Sequence, residues 1–138
     1  MGAYELVAPL PWRLFMRRMF VPAAAVLLVV AGAADAHPKL LSATPAANAT
    51  VAKPARLELR FSEKLMPKFS GADLMMTGMN GMKHAPTKVA SAATVAADGR
   101  TMIITPKSPL GAGTYNVAWH VVAADTHRIT GNYAFAVK

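Results

Sequence analysis

The sequence of 138 residues contains no cysteine, few aromatic residues and only seven acidic side chains against 15 basic ones. Without cysteine the chain forms no disulfide and offers no thiolate to a metal. Any metal site would therefore use histidine, methionine, carboxylate or a chain amine. The basic residues are mostly single rather than clustered, which argues against nucleic-acid recognition and favours a soluble basic surface.

The sequence also lacks the run of about 20 apolar residues that a membrane-spanning helix needs. Three arginines between residues 13 and 18 precede an apolar run at residues 19–32, which Pro22 interrupts and Ala34-Asp35-Ala36 follows. This is the layout of a secretory signal peptide with its small-residue cleavage site. We predict that residues 1–36 are removed on export and that residues 37–138 form one domain of net charge +7.

The predicted domain has strand patterns and no helical period. Apolar and polar residues alternate, or β-branched residues dominate, in short runs separated by proline and glycine turns. These patterns predict an all-β domain, a single Greek-key β-sandwich or barrel of immunoglobulin-like or cupredoxin-like type. The four clearest runs are residues 56–61, 102–105, 114–122 and 132–137.

A cluster of soft ligands occupies residues 75–84, which hold four methionines and one histidine. Gly78, Asn80 and Gly81 lie among them, and a glycine costs about 1 kcal/mol in a helix interior. We therefore interpret the segment as a flexible loop rather than a helical core stripe. Because thioether sulfur suits Cu(I), the cluster predicts a Cu(I) site, with a methionine-rich protein contact surface as the alternative.

Harder ligands lie near both ends of the predicted domain. Cleavage after Ala36 would make His37 the first residue, which offers its amine and its ring to one ion, while Pro38 has no amide N–H to join them. In Asp125-Thr126-His127, an extended backbone would point the carboxylate and the imidazole to the same side. Together these groups match the tetragonal nitrogen and oxygen ligation that Cu(II) prefers.

Two further side chains have more modest signals. Glu63 follows a predicted strand and is either an additional oxygen ligand or an exposed strand-end carboxylate. His120 lies in the middle of a predicted strand, and we interpret it as structural.

As a set, these residues resemble the CopC family, also called PcoC-like, of periplasmic copper-resistance proteins. The resemblance spans nearly the whole domain and rests on short motifs in a fixed order: His37-Pro38-Lys39-Leu40, Phe61-Ser62-Glu63, the methionine segment, Gly113-Thr114-Tyr115 leading to Trp119, and Asp125-Thr126-His127 with Thr130-Gly131.

The resemblance implies a Greek-key sandwich of about seven strands with copper sites at opposite ends. The implied Cu(II) ligands are His37, Asp125 and His127, with Glu63 at the position of a further ligand. The implied Cu(I) ligands are Met76, Met79, Met82 and His84. Thr87 stands where family members usually carry another methionine, for which Met75 or Met66 are the candidate substitutes.

The favoured hypothesis is a non-catalytic periplasmic carrier that binds Cu(I) and Cu(II) and passes copper to a multicopper oxidase or a copper-transporting inner-membrane protein. The carrier would be a monomer or a weak metal-bridged dimer. The competing hypothesis is a copper oxygenase in which His37 and His127 form an amino-terminal histidine brace. Asp125 opposes it, because its carboxylate would fill an equatorial position that such chemistry leaves open.

Overall fold

A computed structural model describes residues 37–138, which are almost entirely β-strand. The predicted signal peptide at residues 1–36 lies outside the described residues. Within residues 37–138, no helix has the length and apolar character needed to cross a membrane. A 3-10 turn spans Pro67–Phe69, and the strands are β1 (Leu40–Thr44), β2 (Thr50–Val51), β3 (Leu57–Phe61), β4 (Gly71–Met79), β5 (Met82–Val89), β6 (Ser91–Val95), β7 (Thr101–Pro106), β8 (Gly113–Val122) and β9 (Arg128–Val137).

The strands form two sheets that share one core. One sheet has the order β1-β3-β7-β6 and the other the order β2-β9-β8-β4-β5. All pairings are antiparallel except that of β2 with β9. The predicted all-β Greek-key sandwich is confirmed, but the described strands number nine rather than about seven. The difference arises because β2 is only two residues long and β5 lies in the segment predicted as a loop.

The core lies between the sheets and follows the alternation seen in the sequence. In β8 every second side chain from Tyr115 to Val121 is buried, and β3 and β9 each contribute three buried side chains. Phe61 of one sheet meets Trp119 of the other edge to face, with ring centroids 5.1 Å apart. Such a contact joins the two layers without a disulfide. The largest fully buried side chains are Leu57, Leu59, Phe61, Leu74, Met102, Ile104, Tyr115, Val117 and Val121.

The methionine segment is a β-hairpin, so its interpretation as a flexible loop is wrong. Strands β4 and β5 are joined by the two-residue turn Asn80-Gly81, whose φ angles are 52° and 77°. A two-residue turn of this kind needs positive φ at both positions, and Asn-Gly meets that need best. The glycines that exclude a helix here therefore specify a turn between paired strands.

Gly131 provides a test of the packing, since a Cβ there would lie closer than van der Waals contact to three ring atoms of Trp119. We expect Gly131→Ala to lower the free energy of unfolding by about 1–3 kcal/mol, because the buried ring has little room to move. Urea unfolding measures this change. Gly111→Ala is the matched control, because a Cβ at Gly111 would meet nothing within 4 Å. Equal stability of the two variants would contradict the packing.

Candidate metal centres

Three predicted ligands come together at one end of the sandwich. His37 precedes β1, while Asp125 and His127 lie in the turn between β8 and β9. One ligand atom from each of the three lies within 4.8 Å of the others. The fold thus joins the beginning of the described chain to a turn almost ninety residues later.

Two serines fix the segments that carry these ligands. The amide of Lys39 donates to Ser62 Oγ at 2.9 Å, and the amide of Ser62 donates to the carbonyl of Lys39 at 2.9 Å. The amide of Val122 donates to Ser70 Oγ at 3.0 Å, which fixes the end of β8 just before the turn. Sequence reasoning assigned neither serine a role, although Ser62 stands inside a motif that carried the family resemblance.

The turn that holds Asp125 and His127 is not extended as the sequence interpretation assumed. Thr126 has φ of 65°, an uncommon conformation for a β-branched residue, and its amide donates to the carbonyl of Ala123 at 3.0 Å. Asp125 Oδ1 accepts the amide hydrogen of His127 at 3.2 Å. The carboxylate and the imidazole therefore converge through a tight turn, which the hydrogen bond from the His127 amide to the Asp125 side chain stabilises.

The second carboxylate oxygen faces both imidazoles. Asp125 Oδ2 is buried without a hydrogen bond, 3.8 Å from His37 Nε2 and 3.5 Å from His127 Nδ1. Two ligands each about 2 Å from one ion are roughly 3–4 Å apart, so these spacings suit a small cation. The two imidazole rings stack with centroids 5.2 Å apart and planes 3° from parallel. The two imidazoles and the carboxylate oxygen between them, which accepts no hydrogen bond, form a set of ligands that fits Cu(II).

Glu63, the further candidate ligand, and His120, interpreted as structural, both lie outside the three-residue cluster. Glu63 is half-buried directly after Ser62, and His120 lies on β8 opposite Gly71. Among residues 37–138, neither belongs to a group of three or more potential ligands within 4.8 Å of one another.

A bulge in β4 determines which face of the sheet carries the methionines that follow it. Met76 pairs with Tyr115 and Gly78 with Thr114, so β4 has one extra residue between them. Met76 faces the core side, and a bulge reverses the alternation that follows it. Met79 therefore shares the face of Met76.

Met82 joins the same face, because it is the register partner of Met79 across the turn. Met76 is packed against the core cluster, while Met79 is 47% and Met82 72% exposed. The methionines thus pass from the core edge to solvent.

His84 lies in the same hairpin, on β5. Its Nδ1 is 2.7 Å from the carbonyl of Ala85, which can only accept, so in the neutral imidazole the hydrogen lies on Nδ1 and the lone pair on Nε2. Nε2 is thus the nitrogen available to a metal.

The structure separates the two proposed substitutes for the missing methionine. Met75 pairs with Asn116 and Lys88, on the face opposite to Met76. The amide of Met66 donates a hydrogen bond to the carbonyl of Val122, at the His37 end of the sandwich. Thr87 is the register partner of Met76, so the position of the family methionine borders the cluster.

Strand β8 separates the two groups of ligands. Thr114 pairs with Gly78 of the hairpin, while Val122 immediately precedes the turn that carries Asp125. Eight residue steps of strand correspond to about 26 Å. The imidazole and carboxylate cluster and the methionine hairpin therefore occupy opposite ends of the sandwich.

Comparison with known proteins agrees with this architecture. The model of the CopC domain matches residues 40–138. The chain is 51% identical over 125 residues to copper resistance protein C of Pseudomonas syringae pv. tomato, covering 91% of this chain and 99% of the relative. It is 52% identical over 114 residues to copper resistance protein C of Escherichia coli, covering 82% and 90% of the two chains.

A solved structure is similar over the same domain. PcoC, a methionine-rich copper resistance protein from Escherichia coli, has a TM-score of 0.70 and 52% identity, covering 75% of this chain and all of that one. Family model, sequence relatives and fold agree over nearly all of the described domain. The chain therefore belongs to the CopC family.

Proposed function

We propose that this protein is a non-catalytic periplasmic copper carrier with a Cu(II) site at its processed amino terminus and a Cu(I) site in its methionine hairpin. The single observation that carries the proposal is the buried Oδ2 of Asp125, which lacks a hydrogen bond and lies between the imidazoles of His37 and His127. The names of the copper-resistance relatives support copper as the ion.

The Cu(II) site would use both nitrogens of His37. Before cleavage the backbone nitrogen of His37 is a peptide amide, which is a poor ligand, and after cleavage it is an amine. The amine and ring would then complete the set begun by Asp125 and His127. Since Asp125 fills a position that oxygen chemistry would need open, the arrangement favours binding over catalysis.

The Cu(I) site would use the thioethers of Met76, Met79 and Met82 with Nε2 of His84. Their common face, the exposure of Met79 and Met82, and the softness of sulfur support this assignment. Exposed ligands also suit a carrier, because a receiving protein could approach the ion directly. We propose an oxidase or an inner-membrane copper transporter as the receiver.

Export is expected to produce a chain that begins at His37. Mass spectrometry of the protein recovered from the periplasm measures the mature mass and the first residue. A mature protein that starts elsewhere, or that keeps residues 1–36, would contradict the terminal chelate.

The chelate itself is tested by Cu(II) titration of two chains that differ by one residue. A chain beginning at Ala36 is expected to bind Cu(II) at least about 100-fold more weakly than one beginning at His37, because the amine is displaced from the ring. His37→Ala should lose as much. His120→Ala is the matched control and should retain full affinity, since His120 lies outside the cluster. Equal affinity of the two chains would exclude the terminal site.

The methionine site is tested by Cu(I) competition titration under reducing conditions. We expect Met82→Ser to weaken Cu(I) binding about tenfold or more and Thr87→Met to strengthen it, because Thr87 borders Met76. Met75→Ser is the control, since Met75 faces the other side of the sheet. Loss of affinity in Met75→Ser equal to that in Met82→Ser would contradict the assignment of faces.

A further inference from the structure

A groove of about 520 Å³ lies beside the His37 cluster and belongs to neither metal centre. Its apolar part is formed by buried Val122, half-buried Met66 and the ring of Phe69, which is 56% exposed. The groove reaches Thr126, the residue between Asp125 and His127. Anything bound in it would therefore stand next to the proposed Cu(II) site.

The charges around the groove have one sign. Its exposed charged residues are Lys68 and Arg128, and no carboxylate lines it. Neither cation forms an ion pair with any residue from 37 to 138, whereas Arg56 and Lys88 pair with Glu58 and Asp73. The groove thus presents two uncompensated cations above an apolar surface.

Phe69 is an exposed aromatic side chain that lies outside the core cluster. It belongs to the 3-10 turn Pro67–Phe69, which buries none of its residues. An exposed aromatic ring beside a concave apolar surface is typical of a binding site for another protein. A concave shape suits an inserted side chain better than the flat surface of a bilayer.

We propose that this groove docks a partner protein through an acidic segment that carries one apolar side chain. The apolar side chain would lie against Phe69 and Met66, and the carboxylates would pair with Lys68 and Arg128. Opposite charges would speed the encounter and fix its orientation. The inference deepens the proposed function, because it places the partner at the Cu(II) end of the carrier.

The test uses metal-free, ¹⁵N-labelled exported protein and a short synthetic peptide in which glutamates flank one central phenylalanine. Titration followed by NMR should give saturable shifts confined to the amides around the groove, those of Lys68, Phe69, Val122 and Thr126. Replacing the phenylalanine of the peptide by serine, or its glutamates by glutamines, should weaken binding about tenfold.

Protein variants with matched controls assign the contact. Phe69→Ala and Lys68→Glu should each weaken binding about tenfold. Leu41→Ala removes another exposed apolar side chain, and Lys107→Glu makes the same charge change in a different groove. Both controls should bind within about twofold of the unchanged protein.

Three outcomes would overturn the proposal. They are absence of saturable peptide binding, equal weakening by Lys68→Glu and Lys107→Glu, and binding to phosphatidylglycerol vesicles without binding to the peptide. Cu(II) titration of Phe69→Ala separates this proposal from the carrier function, since its copper affinity should be unchanged. If the unchanged protein binds the peptide but does not bind copper, the result counts against the carrier function and leaves the docking groove standing.

Discussion

The buried face of β8 is the constraint on which both candidate sites depend. Tyr115, Val117, Trp119 and Val121 alternate into the core, so a shift of register by one residue would turn four large side chains into solvent. The register of β8 in turn fixes where β4 and β9 pair with it. The hairpin at one end and the turn at the other are therefore held at a set separation by the core itself.

This separation has a chemical consequence. The two ligand groups lie at opposite ends of a strand segment about 26 Å long, which is too far for them to share one ion, so a metal at either end would be held by the donors of that end alone. One end offers imidazole and carboxylate, with Asp125 only 13% exposed and already oriented by the amide of His127. The other end offers thioethers on an exposed hairpin. Copper changes its preferred donors with oxidation state, and the two ends match its two preferences.

Much of the fold was predictable from the sequence, and so were the candidate ligands that the structure brings together. The alternation in β3 and β8 specified buried strands because it is a local pattern, and the donor types identified the candidate ligands. The sequence interpretation failed where backbone geometry decides. The composition around Asn80-Gly81 predicts a loop, although this pair also favours a two-residue hairpin turn. Asp125 and His127 converge through the positive φ of Thr126 rather than along an extended strand.

Long-range pairing was the other limit. The contact of Lys39 with Ser62, the bulge that turns Met79 to the face of Met76, and the position of Met66 at the far end all depend on which strands meet. Such pairings are not encoded in the spacing of residues along one chain. They decide which methionines can act together, and the structure places neither Met75 nor Met66 with Met76, Met79 and Met82.

The central claim is that one domain holds two chemically distinct copper sites. X-ray absorption at the copper edge of the processed protein, loaded separately with one equivalent of each oxidation state, tests this claim most directly. The account predicts nitrogen and oxygen scatterers alone for Cu(II) and sulfur scatterers for Cu(I). The same ligand shell in both oxidation states would contradict it.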